Sequence, residues 1–158
     1  MENRSVSDCP FCEPQSRAIS YYSDVKYRAI YNRSPILPGH SLVIPKSHIE
    51  SVNELTDTDL GQMMVFARHV AENLMRIFTS TAFNWTIQDG AAAGQTVPHL
   101  HLHLIPRADG DLAHPGDWYP RLLANERGII DISDKREWFT DEELLKVVKH
   151  IRSKWDEA

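Results

Sequence analysis

Basic excess is missing from this sequence: 22 Asp and Glu stand against 17 Lys and Arg, a formal net charge of −5. That balance repels polyanions and argues against non-specific binding to nucleic acid or to an anionic membrane, while a small phosphorylated ligand, held by local donors, stays open. Long apolar runs are missing too. Nothing approaches the ~18 residues of a membrane span, and the N-terminus lacks the apolar core of a secretory signal, so the expectation is a soluble, cytoplasmic chain with neither membrane nor nucleic-acid polymer as partner. Cysteine is nearly absent. Cys9 and Cys12 alone exclude a disulfide-stapled scaffold, and in a reducing compartment a single C-x-x-C reads as half a metal site or a redox pair. There is no internal repeat and no low-complexity segment. What is present, 42% hydrophobic residues in a chain of 158, suffices for one domain burying roughly two-thirds of its unfolded surface.

The first eight residues are polar and are expected to be disordered, with order starting near Arg17; Pro10 and Pro14 around the cysteine pair imply a knuckle-like turn. Segments 19–22 and 27–31, rich in β-branched and aromatic residues and broken at Ser23-Asp24, predict a hairpin. Residues 32–39, with Pro35, Pro38 and Gly39, form a loop before a short buried strand at 41–44 that Pro45 ends, and 46–53 is a second loop. Leu60, Met63, Met64, Ala67, Val70, Ala71, Leu74, Ile77 and Phe78 recur every three or four residues, the stripe of a helix of about five turns whose capping signal is Thr56. Its two methionines are read as core packing. Residues 83–88 alternate as a strand with one wet face. The segment 107–128 has little periodicity, and its Trp118 and Tyr119 either lid a pocket or pack. Residues 141–155 predict a second amphipathic helix through Leu144, Leu145, Val148 and Ile151, with basic residues late in it.

The informative stretch is His99-Leu100-His101-Leu102-His103-Leu104-Ile105. On a strand, this alternation puts the leucines on one face, toward the helices, and three imidazoles on the other at intervals of about 6.6 Å. A merely solvated face would be better served by Thr, Lys or Glu. A metal held by all three is geometrically awkward, since His99 and His103 would lie ~13 Å apart at Cα while a zinc-bound nitrogen sits at ~2.1 Å. Neutral imidazole is a competent nucleophile at pH 7, and a phosphorylated imidazole is open to water, so the row suits covalent phosphorus chemistry.

This run resembles the signature of the histidine triad family. Gln88-Asp89-Gly90 and Ala93-Gly94-Gln95-Thr96-Val97 upstream, and Pro106-Arg107 downstream, are similar to its fragile histidine triad branch; Asn32-Arg33-Ser34-Pro35 and Pro38-Gly39-His40 with Leu42-Val43-Ile44-Pro45 fit its earlier strand and loop. The resemblance implies an α+β fold with a five-stranded antiparallel sheet and two main helices, paired as a homodimer. It implies that His101 attacks the α-phosphorus and becomes nucleotidylated, that His103 hydrogen-bonds phosphoryl oxygens, and that His99 steadies the neighbouring strand. Gln95, with Gly94, Thr96 and Val97, falls where the family binds phosphate and leaving group, and Gln88 and Asn32 where it contacts phosphate and ribose; His40 falls in a supporting position. Cys9 and Cys12 depart from the fragile branch and resemble the zinc-binding cysteines of others, in which His48 and His99 complete a Cys₂His₂ set. Structural zinc is therefore expected, and magnesium could accompany the substrate.

Three segments follow: 1–16, with the candidate zinc knuckle; 17–110, the family core; and 111–158, a loop and helix of the same domain. The activity implied is hydrolysis of dinucleoside polyphosphates such as diadenosine tri- or tetraphosphate. Nucleoside phosphoramidase or nucleotidyltransferase chemistry through the same intermediate, or a slow nucleotide-binding regulator, are the alternatives.

Overall fold

In the computed structural model of the chain, residues 9–126 and 138–155 are described; the disorder expected of the first eight falls outside them. A short helix α1 (Pro14–Ala18) leads into strands β1 (Ser20–Ser23) and β2 (Tyr27–Tyr31), the predicted hairpin, with Asp24 Oδ1 accepting the amides of Lys26 and Tyr27 to close the turn. Strand β3 (Ser41–Pro45), the long helix α2 (Asp57–Ile77), β4 (Ala82–Ile87), β5 (Leu102–Arg107), α3 (Trp118–Glu126) and α4 (Asp141–Lys154) follow. The strands form one antiparallel sheet in the order β1-β2-β3-β5-β4. This is the α+β architecture with five antiparallel strands and two main helices that the sequence implied.

Alternation along the three central strands divides the core. Tyr27, Ala29, Tyr31, Val43, Leu102 and Leu104 face α2 and α4, whose Met63, Val70, Leu74, Leu144, Val148 and Ile151 complete the main cluster together with Leu100. The opposite face carries Ile30, Leu42 and Ile44 under Phe11 and Ile19, and Ile105 with Ile36, Leu122 and Trp118. Because both faces are covered, every residue of β2 and β3 is buried. Helix α2 starts where Thr56 accepts the amide of Asp59, and α4 has a full capping box between Thr140 and Glu143.

Three expectations change. First, β5 begins only at Leu102, so the three histidines do not share one strand. The β3–β5 ladder ends at the Val43–Leu102 pair, and beyond it Leu100 donates its amide to Ile49 O while the His99 ring, not the backbone, reaches β3 by donating Nε2–H to Pro45 O at 3.0 Å. Second, β4 has no single wet face. Exposure falls from Ala82 and Phe83 toward a buried Gln88 just beyond it, because β4 is an edge strand paired only with β5. Third, the stretch 107–128 is not irregular throughout: a 3₁₀ turn at Pro115–Asp117 runs into α3. Pro115, Gly116 and Pro120 concealed it, although Pro is tolerated in a first helical turn. Of the two aromatic residues there, Trp118 packs on the Ile36–Leu122 cluster and Tyr119 is exposed.

Candidate active site and Cys/His cluster

The sheet face away from α2 and α4 opens into a cavity of about 520 Å³ lined by Phe11, Ile19, Ile30, Leu42, Asn32, Ser34, Thr96, Val97, His101 and His103, with Leu122 and Trp138 at its border. Its size suits a nucleotide-sized ligand. His101 and His103 are both 4% exposed and their rings stand edge to face, centroids 5.1 Å apart. His101 Nδ1–H donates to its neighbour's carbonyl, His99 O, at 2.7 Å. That bond leaves the lone pair on Nε2, and burial holds the ring's pKa below the ordinary histidine value, favouring the neutral form at pH 7.

A chain of three groups fixes the other ring. The amide of Ile36 donates to His40 Nδ1 at 3.1 Å, so neutral His40 carries its proton on Nε2, which lies 3.0 Å from His103 Nδ1. His103 thus accepts at Nδ1 and carries its own proton on Nε2. Asn32 Nδ2 lies 3.3 Å from the same His40 nitrogen, while its Oδ1 accepts from the Ser34 amide. The loop that delivers His40 depends on Gly39, whose φ is +89°; a Cβ there would stand 2.8 Å from Pro106 and 2.9 Å from Phe78.

Asn32, Thr96, Val97, His101 and His103 are therefore brought together. Gln95, Gly94 and Gln88 are not among the cavity's lining residues. Gln95 is engaged at both ends, accepting from the Gly90 amide at 2.7 Å and donating to Glu50 O at 2.9 Å, so it braces the loop. Phe11 was not anticipated. It sits between the cysteines, with its ring edge-on to both His99 (5.6 Å) and His101 (5.4 Å), and an aromatic residue inside a C-x-x-C was the signal for it.

His99 points elsewhere. Fully buried, it turns Nδ1 toward Cys9 Sγ (3.4 Å) and Cys12 Sγ (3.6 Å), while His48 Nδ1 lies 3.4 Å from Cys12 Sγ and its Nε2 faces Glu50. The four ligand atoms all lie within 4.8 Å of one another, a group that can hold a metal ion. In the metal-free chain, burial drives the His99 pKa down to about 4, and burial together with the Cys9 thiol pushes Cys12 up to about 11. Both shifts mark neutral donors crowded in an apolar place. Nothing among the described residues supports the magnesium expectation, since the one such ligand group consists of thiols and imidazoles.

The sequence model of the HIT domain matches residues 13–110. The chain is 39% identical over 115 residues to the bis(5'-nucleosyl)-tetraphosphatase (asymmetrical) of Schizosaccharomyces pombe, covering 70% of this chain and 63% of that one. It is 30% identical over 143 residues to the bifunctional bis(5'-adenosyl)-triphosphatase/adenylylsulfatase FHIT of Arabidopsis thaliana, covering 89% and 79%. Among solved structures, a zinc-bound histidine triad family protein of Mycobacterium smegmatis superposes with a TM-score of 0.69 at 26% identity, covering 95% of this chain and 94% of that one. With the His101–His103 pair on the open sheet face and the family's sequence pattern spanning most of that sheet, this chain belongs to the HIT domain family.

Proposed function

We propose that this chain hydrolyses nucleotide anhydrides of the dinucleoside polyphosphate class through a nucleotide held covalently on His101. The observation that carries this is the bond from His101 Nδ1–H to His99 O, which pins the buried ring in the tautomer whose Nε2 bears the lone pair. Attack by Nε2 on the α-phosphorus forms the N–P bond as the bridging P–O bond breaks, and the remaining nucleotide departs with the electron pair. Water then attacks phosphorus and gives up a proton to solvent, the N–P bond breaks, and Nε2 recovers its lone pair. His103 Nε2–H, held ready by His40, donates to phosphoryl oxygen as charge builds there. Phe11, Ile19, Ile30 and Leu42 supply an apolar slot for a base, with Asn32 beside the ribose. Gln88, Gly94 and Gln95 act, in this reading, by shaping the loop on which Thr96 and Val97 meet the leaving group. The named activities of the yeast and plant relatives support the same substrate class.

The Cys/His cluster fits structural zinc. From zinc–sulfur and zinc–nitrogen bonds of 2.3 and 2.0–2.1 Å, a tetrahedral ion sets its S and N ligands about 3.6 Å apart; three of the four Cys–His separations are 3.4, 3.4 and 3.6 Å, and the fourth is within 4.8 Å. Cys9, Cys12, His48 and His99 would hold it, and it would supply no chemistry beyond clamping the N-terminal loop to the segment that carries His101, just ahead of β5. The bound metal of the mycobacterial relative supports this choice. Free thiols suit a reducing cytoplasm, and the edge strand β4, with Phe83 39% exposed, suits pairing of two chains into a homodimer.

The test is a substrate profile over diadenosine tri- and tetraphosphate, adenosine 5'-phosphosulfate and an adenosine phosphoramidate, using wild type and His101→Ala. Anhydride turnover by wild type alone is expected. Preference for the phosphoramidate would move the assignment to phosphoramidase, and equal turnover by the variant would overturn it.

A further inference from the structure

A second cleft of about 390 Å³, sharing no lining residue with the His101 cavity, is lined by Arg17, Ser20, Ser23, Arg28 and Lys46. Three cations meet there and no carboxylate lines it. Among the described residues, none of the three takes part in an ion pair. Asp24, next to Ser23, has its carboxylate committed to the hairpin amides. Lys46 donates to Asp24 O and Arg28 Nη2 to Phe11 O, both uncharged backbone carbonyls, while the acidic groups close enough to act on Arg28 are the thiols of Cys12 and Cys9. Arg28 is only 5% exposed, and its Nε has no hydrogen-bond partner. A buried guanidinium with an idle donor, beside two further cations, costs free energy that a resident anion would recover. Arg152 donates to the carbonyls of Ala18 and of Ser20, the latter a lining residue of the cleft.

We propose that Arg17, Arg28 and Lys46 form a binding site for a tetrahedral oxyanion of the phosphate or sulfate class. The guanidinium of Arg28 is its floor, Arg17 and Lys46 are its walls, and the Ser23 hydroxyl is an added donor. The site also touches the nucleotide-sized cavity indirectly. Arg28 holds the carbonyl of Phe11, whose ring lies against His101, so an anion on Arg28 stiffens the loop that borders the candidate nucleophile. The chemistry fits free inorganic phosphate or sulfate, and equally the terminal phosphate of a mononucleotide, the kind of product the proposed hydrolysis would release.

The probe is inorganic phosphate, titrated calorimetrically into the metal-loaded full-length protein at constant ionic strength set with chloride, for wild type and for the double variant Arg17→Gln/Lys46→Gln. Both side chains are exposed, so the melting temperature in chloride should stay unchanged. Phosphate affinity should fall roughly 10-fold or more in the variant, as expected for the loss of charge-assisted bonds, and phosphate or sulfate should raise the wild-type melting temperature more than the variant's. Displacement of bound phosphate by an equal concentration of AMP assigns the cleft to a nucleotide's terminal phosphate; phosphate that stays bound assigns it to the free inorganic anion. Wild-type protein that does not bind phosphate, or a variant that binds it as tightly as wild type, overturns the site.

Discussion

At the scale of single residues, the chemistry rests on tautomers set by neighbours. His40 is buried and makes no direct claim on substrate; its work is to donate to His103 Nδ1 and so keep the His103 proton on Nε2. His40→Ala should lower kcat roughly 10²-fold, the scale of a lost positioned proton donor, while KM changes little; an equal loss in both constants would mean that the cavity itself had collapsed. A second residue-scale test concerns Arg107 and Asp111, which meet as a fork at 2.8 and 2.9 Å where β5 ends, with Arg107 also holding Asn84 of β4. The guanidinium keeps the Asp111 carboxyl below the usual carboxylate range. A pKa depressed in the folded state stabilises above the unfolded value of about 3.9 and loses that contribution as pH falls through the folded value. Asp111→Asn should therefore destabilise by about 1 kcal/mol at pH 7 and flatten the acid limb of the stability curve; an unchanged limb would mean the pair contributes nothing. The histidine row shows what a sequence reveals at this scale. Alternating His and Leu were enough to put Leu100, Leu102 and Leu104 in the core, but nothing local says that His99 turns from the row toward two cysteines about ninety positions away.

Among the elements, regular ones were legible and irregular ones were not, for a physical reason. The β1–β2 hairpin, β3 and α2 each advertise a pattern and a boundary, with Asp24 at the turn, Pro45 at a strand end and Thr56 at a cap, and α4 advertises its period. Helix α3 announces neither, since Pro120 stands in it, Pro115 and Gly116 in the 3₁₀ turn before it, and its one described buried apolar side chain is Leu122. The start of β5 was misplaced because a side chain, His99, substitutes for the ladder where Pro45 has no amide to offer. The Cys9–Cys12 loop is the element to which the proposed zinc matters most. Purified without chelator, the protein should carry close to one zinc per chain, and stripping the metal or Cys12→Ser should lower the melting temperature by roughly 5 °C or more. Removal should also loosen Phe11 against His101, seen as faster backbone hydrogen exchange over residues 9–12. Metal-free protein of unchanged stability and exchange would dismiss a structural ion.

Over the whole molecule, the two faces of one sheet divide the labour: leucines and helices on one side make the core, imidazoles on the other make the cavity. No helix among the described residues is long and apolar enough to cross a membrane. Pairing through β4 would make the mass in solution twice that of the chain, and Phe83→Lys should shift sedimentation toward the monomer; a wild-type protein that sediments as one chain at all concentrations would remove the homodimer. The central claim is that His101 bonds covalently to phosphorus, and rapid acid-free quenching followed by intact-mass and peptide analysis during turnover of diadenosine tetraphosphate tests it most directly. The account predicts one nucleotide per active chain, formed before steady state, localised to His101 and absent from His101→Ala. Steady turnover with no adduct on that residue, and a variant as fast as wild type, would contradict it.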